Sequence, residues 1–200
     1  FIIIFSLSVL GSCISPIQQT NSLTIPTSSG VTQGKLNHNV VSWEDIPYAI
    51  PPVGDLRWKA PRLLDTPELN IKPQEGNGCL QEASIYAGIQ GEGMVGQEDC
   101  LYLDIKVPVN NLNRRLPVMF WIHGGGNISG VKDYYDFSEL IRRHQVLVVT
   151  INYRLGPMGW FTHPAIQGLQ SGMDKTSNFG TLDIMEALKW TQTNIQNFGG

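Results

Sequence analysis

A chain of 200 residues that is 42% hydrophobic and only 16% charged can bury a sizeable core, and this composition excludes an intrinsically disordered polymer. The net charge of −3, carried without any long run of Lys or Arg, excludes the electrostatic footprint of a nucleic-acid-binding protein.

Residues 1–10 are apolar apart from Ser6 and Ser8, a run too short to cross a bilayer but of the length of a secretory h-region. With no initiating Met and no basic segment before it, the run reads as a truncated signal peptide. It leads into Leu10-Gly-Ser-Cys13, which resembles a bacterial lipobox. Residues 1–13 are therefore expected to be a leader, with Cys13 as the lipidated mature N-terminus. An ordinary signal peptide followed by an incidental cysteine is the alternative. Residues 14–22 form a mostly polar tether that contains Pro16. Residues 23–41 mix Thr, Val and Ile with Gly30 and Gly34 in the manner of short hairpin strands. Pro and aromatic residues crowd 43–61, which predicts an ordered extended loop and no helix.

Three cysteines in an exported protein leave one unpaired. If Cys13 carries lipid, Cys79 and Cys100 remain as an even pair in a disulfide-permitting compartment. Metal binding is the weaker reading, because neither has a second Cys or a His at ligand spacing. Residues 101–107 alternate as Leu-Tyr-Leu-Asp-Ile-Lys-Val, a half-buried strand, and 116–122 form a second strand. Asp136 and Glu139 have the spacing of a capping box that opens a short helix through Arg143. Residues 146–151 read as a fully buried strand. From Thr181 to about Asn197, Leu182, Met185 and Leu188, with Ile184 and Ile195, fall at helical spacing, and Gly199-Gly200 supplies the stop. This alternation predicts an α/β sheet. No internal repeat is present.

The most informative segment is Leu116-Pro-Val-Met-Phe-Trp-Ile-His-Gly-Gly-Gly126, a strand that runs straight into His123 and three glycines. Negative charge on a tetrahedral acyl-transfer intermediate needs backbone N–H donors at close range, and only a chain without side chains can bring its backbone that near. A glycine turn closing a buried strand is the plainer alternative.

Several segments, in order, resemble the type-B carboxylesterases, the family that also holds the cholinesterases. They are Ile46-Pro-Tyr-Ala-Ile-Pro-Pro-Val-Gly54 with Leu56-Arg-Trp58; Glu98-Asp-Cys-Leu-Tyr-Leu-Asp-Ile105; Trp121-Ile-His-Gly-Gly-Gly126 with Gly130; Asn152-Tyr-Arg-Leu-Gly156; and Asn178-Phe-Gly180 running on to Phe198-Gly-Gly200. Over residues 23–200 the resemblance implies an α/β-hydrolase fold, here the N-terminal part of a mostly parallel central sheet with an antiparallel β entry. It implies a serine hydrolase acting on small carboxylic esters, with Gly125 and Gly126 as oxyanion-hole donors and His123 supporting their loop. Arg57 would pair with Glu98 and Arg154 with Asp183, as scaffold. No cofactor or metal is implied.

In this family the G-x-S-x-G elbow and the later acid and base lie beyond the segment that matches here, so nucleophile, acid and base are expected past Gly200 and the 200-residue chain alone is expected to be inactive. His38, His144 and His163 are accordingly not cast as the base. The five tryptophans, Trp43, Trp58, Trp121, Trp160 and Trp190, are expected in the core. Asn127, where many members carry an aromatic, would put a polar group near the acyl site. Asn127-Ile-Ser129 is also a glycosylation sequon, expected unmodified because a glycan there would plug the cleft. Localisation in a bacterial cell envelope through Cys13, or otherwise secretion or residence in the periplasm, completes the expectation. The rival function is a catalytically inactive, cholinesterase-like binding or adhesion domain.

Overall fold

The computed structural model describes residues 23–74, 76–111 and 115–200; the apolar leader, Cys13 and the tether lie outside them. Two hairpins open the fold. β1 (Thr24–Thr27) pairs antiparallel with β2 (Gly30–Gln33), and β3 (Lys35–Asn37) with β4 (Val40–Pro47). The second turn is made by His38 and Asn39, both left-handed at φ 46° and 65°, the mirror-image geometry that suits strand twist.

β4 corrects one expectation. Residues 43–47 belong to a strand, and only the remainder of 43–61 is an extended loop, with one short turn at Gly54–Leu56. Pro47 is tolerated because β3 pairs only with Val40–Ser42, so at Pro47 β4 is an edge. Beyond it, β5 (Gln81–Ser84) and β6 (Ile89–Val95) form a separate hairpin inside the segment closed by Cys79 and Cys100, whose sulfurs are 2.04 Å apart.

β7 (Tyr102–Pro108), β8 (Val118–Ile122) and β9 (Leu147–Ile151) complete a five-stranded sheet of order β3-β4-β7-β9-β8. Pairing is antiparallel from β3 through β9 and becomes parallel at β9–β8, so the antiparallel entry hands over to the parallel part at the last pair. β7 is more buried than its alternation suggested. It is the central strand, and every residue but Lys106 is buried, including Asp104.

α1 (Ser138–His144) crosses back between β8 and β9, the crossover that a parallel pair requires. Its start is not a capping box: the Asp136 carboxylate accepts the Ser138 N–H at 2.9 Å, while Glu139 pairs with Arg142 and Arg143 instead of reaching back. Two short helices follow, α2 (Gly156–Gly159) and α3 (Pro164–Gln167), before α4 (Phe179–Asn194). The apolar face of α4 differs from the expected one. Phe179, Leu182, Ala187 and Trp190 are buried, whereas Met185 and Leu188 are about half exposed, because the helix turns its 179/182/190 stripe inward. It ends at Asn194, passes into a tight turn over Ile195–Phe198, and stops at Gly199 with φ 93°.

Trp43 and Trp190 are core residues, the first edge-on to Phe198 at 5.1 Å. Trp58, Trp121 and Trp160 are only partly buried. Among the described residues no helix is long and apolar enough to cross a membrane.

Candidate active site

β8 delivers His123 at its C-terminal end, and the chain then turns through residues 123–130. Gly125 has φ 110°, Gly126 63°, Asn127 62° and Gly130 134°, a run of left-handed or positive-φ backbone that explains the glycines at three of the four positions. The turn is closed by the Gly125 carbonyl, which accepts the N–H groups of Ile128 at 3.0 Å and Ser129 at 3.2 Å. Its middle is held by Gly156 N–H, which donates to the Asn127 carbonyl at 2.7 Å. Two of these glycines are sterically obligatory. A Cβ on Gly125 would lie 1.9 Å from the Ser129 carbonyl oxygen, and one on Gly130 would lie 2.1 Å from Nδ1 of His123. The N–H groups of Gly125 and Gly126 have no acceptor among the described residues.

His123 is buried at the root of this loop. Its ring stacks on Tyr153, with centroids 4.4 Å apart, and the Tyr153 hydroxyl donates to the His123 carbonyl at 2.9 Å. Nδ1 lies 2.9 Å from the Gly124 carbonyl, which can only accept, so Nδ1 carries the proton and Nε2 is an unpartnered buried acceptor. Burial pushes the imidazole below its ordinary 6.5, against the opposing pull of the Gly124 carbonyl. Below about pH 6.5 the unfolded chain therefore binds a proton that the folded chain resists, and stability present above that pH is lost as the pH falls. Denaturation midpoints measured between about pH 7.5 and 5 should show this acid loss shrinking in His123→Gln.

A cavity of about 340 Å³ opens over the loop, floored by Gly124, Gly125 and Gly130 and walled by Ser84, Tyr86, Trp121, Tyr134 and Tyr135. No charged side chain among the described residues lines it. Trp121 is thus a cleft residue and not core, edge-on to Tyr135 at 5.5 Å. Asn127 is exposed and lies outside the cavity wall.

The other expected residues fall into two sets. Arg154 and Asp183 form a fully buried bidentate pair, with Nε–Oδ2 2.8 Å and Nη2–Oδ1 2.7 Å, and Asp183 also accepts the Arg154 N–H at 3.1 Å. Arg57 and Glu98 are likewise bidentate, at 2.7 and 2.5 Å, but the Arg57 side chain is 42% exposed, so this is a surface pair. Among the described residues no cluster of His, Cys, Asp and Glu could hold a metal ion. Several contributors gave no signal in the sequence. Lys132, just past the loop, is buried against Asp45 and Asp104, each at 2.9 Å, and the side chain of Asn152 accepts its N–H at 2.8 Å. Gln81 and Tyr153 also hold the loop; Gln81 stands in no pattern that marks it, while Tyr153 lies in the 152–156 segment, whose sequence does not reveal this contact.

A sheet that passes from antiparallel to parallel pairing, and a strand that empties into a glycine turn with unbonded amides, fit the α/β-hydrolase class. The carboxylesterase family model matches residues 21–200, and the chain belongs to that family. It is 38% identical to a fumonisin B1 esterase of Sphingopyxis macrogoltabida, covering 96% of this chain and 36% of that protein. It is 37% identical to a para-nitrobenzyl esterase of Bacillus subtilis, covering 88% and 35%, and 37% identical to a mouse cholinesterase, covering 86% and 29%. Among solved structures a thermophilic pNB esterase superimposes with TM-score 0.78 at 36% identity, over 90% of this chain and 36% of that one. The chain spans about a third of the length of the curated relatives it matches.

Proposed function

We propose that this chain is the oxyanion-binding part of a carboxylic ester hydrolase that works through a serine acyl-enzyme. The observation that carries the reading is the pair of unbonded N–H groups on Gly125, at the floor of an uncharged cleft, and on Gly126, the next residue of a loop that admits no side chain at Gly125. A serine oxygen supplied by sequence after Gly200 would attack the ester carbonyl as its proton passes to a histidine base. The carbonyl oxygen becomes the oxyanion, and these two amides would stabilise it. Expulsion of the alcohol leaves the acyl-serine, and water attacks in turn to release the acid. His123 shapes the loop and takes no proton in this scheme, since its Nε2 is buried and burial disfavours the charged imidazolium. The reading extends to export and to anchoring through Cys13, supported by the apolar run and the Leu10-Gly-Ser-Cys13 sequence.

The test is to express the reading frame continued past Gly200 beside the 200-residue chain and to assay both on short aryl and alkyl esters. The longer protein should turn over and be labelled at a single serine by a fluorophosphonate, and the shorter should do neither. A folded longer protein that neither turns over nor labels would sink the esterase reading and favour a binding domain.

A further inference from the structure

The cleft has a support that belongs to another part of the chain. Gln81 is the first residue of β5, two positions from the disulfide, and is 3% exposed. Its side-chain oxygen accepts the Gly130 N–H at 2.7 Å, and its side-chain nitrogen donates to the Gly130 carbonyl at 2.9 Å. The same nitrogen donates to the Cys79 carbonyl at 2.9 Å. One amide thus satisfies both peptide groups of the glycine that closes the loop, as a neighbouring strand would.

The segment that carries Gln81 is itself fixed. Leu80 N–H donates to the Gln97 carbonyl at 3.1 Å, Gln97 N–H donates to the Gly78 carbonyl at 2.9 Å, and the Cys79–Cys100 bond closes the base. Gly130 in turn is the wall against which the His123 ring and the Gly124 carbonyl rest, since a Cβ there would come within 2.1 and 2.6 Å of them. A shift of Gly130 therefore moves the root of the turn whose next residues are Gly125 and Gly126.

We propose that Gln81 is a positioning residue for the oxyanion loop: its amide clamps Gly130 to the disulfide-closed segment and so sets where the Gly125 and Gly126 N–H groups point. The consequence for turnover rests on the esterase reading above; the consequence for loop order does not. Donors that stabilise developing charge depend on placement to a fraction of an ångström, and a loosened clamp lowers kcat while leaving the cavity walls, and hence KM, in place.

The test uses the protein continued past Gly200. Gln81→Met keeps the length and removes every hydrogen bond, Gln81→Glu keeps only the acceptor, and Glu82→Gln on the exposed neighbouring position is the control. Esterase kinetics are read beside deuterium uptake of the peptide that spans residues 123–130. In Gln81→Met, kcat should fall by about tenfold or more with KM within about threefold, and uptake should rise in that peptide above any change elsewhere. Gln81→Glu should fall between Gln81→Met and wild type, and carries the test if Gln81→Met does not fold. Unchanged uptake and kcat in a folded variant overturns the proposal, as does a rise in KM with kcat intact or a uniform rise in uptake across the protein. If the wild type cleaves no ester, the esterase reading fails and the uptake comparison still decides the clamp.

Discussion

If the esterase reading holds, Gly125→Ala is expected to cost the protein continued past Gly200 about a hundred- to a thousand-fold in kcat, the loss seen when one oxyanion donor is removed. This variant keeps the N–H, so the effect must come through geometry. At Gly125 the new methyl would stand 1.9 Å from the Ser129 carbonyl oxygen, a backbone atom that cannot rotate away, and φ 110° is closed to an L side chain. The Ser129-to-Gly125 closure opens and the N–H turns off target. At Gly126 nothing lies within 4 Å and φ is 63°, a left-handed value that Ala adopts at a cost of about 1–2 kcal/mol. Gly126→Ala should therefore lose modest stability and keep turnover within about tenfold. Steady-state kinetics with thermal melts on both variants separate the cases. Equal activity in Gly125→Ala and wild type would reduce the loop to a turn.

Asp183→Ala is expected to destabilise the protein by about 3–5 kcal/mol, comparable to the whole margin of an ordinary domain. Asp183 is fully buried and accepts three hydrogen bonds from Arg154, whose guanidinium also lies 5.4 Å from the Phe179 ring. Burial pushes the Asp183 carboxyl up while Arg154 pulls it down, so the pair is held together against a large desolvation cost. Removing one partner leaves a buried cation without its counter-charge. The exposed pair supplies the comparison: Arg57→Ala should change stability little, because solvent already screens both charges. Urea denaturation of both variants is the measurement, and a loss in Asp183→Ala no larger than that in Arg57→Ala would show the pair to be dispensable.

The elements of this fold were legible where local pattern and burial agree. The β-branched, largely apolar run 147–151 reads as a covered strand, and Phe198-Gly199-Gly200 marks a helix end because Gly199 adopts φ 93° without cost. The glycine loop was legible for the same reason, since three successive residues without side chains state a backbone requirement. Departures came where a face had to be chosen, at residues 43–47, where strand pairing overrode a proline-rich pattern, and at Glu139, which pairs with Arg142 and Arg143 instead of capping. Residues 101–107 alternate as a half-buried strand does, yet β7 lies between β4 and β9, and Asp104 is tolerated inside because Lys132 comes from elsewhere to meet it.

Trp121 and Gln81 show the same limit at the site. Trp121 has the composition of a core residue, and only the placement of Tyr135 and of the 81–95 hairpin leaves it beside a cleft. Gln81 in isolation is an unremarked polar residue, and its function depends on Gly130, 49 positions away. By itself the sequence determined most strand and helix positions and the positive-φ backbone of the glycine loop, since each depends on residues adjacent along the chain. Which carboxylate meets which cation, which tryptophan faces the cleft and which amide holds Gly130 were decided by tertiary structure alone, because those partners are brought together by sheet order and packing between segments that share no local pattern.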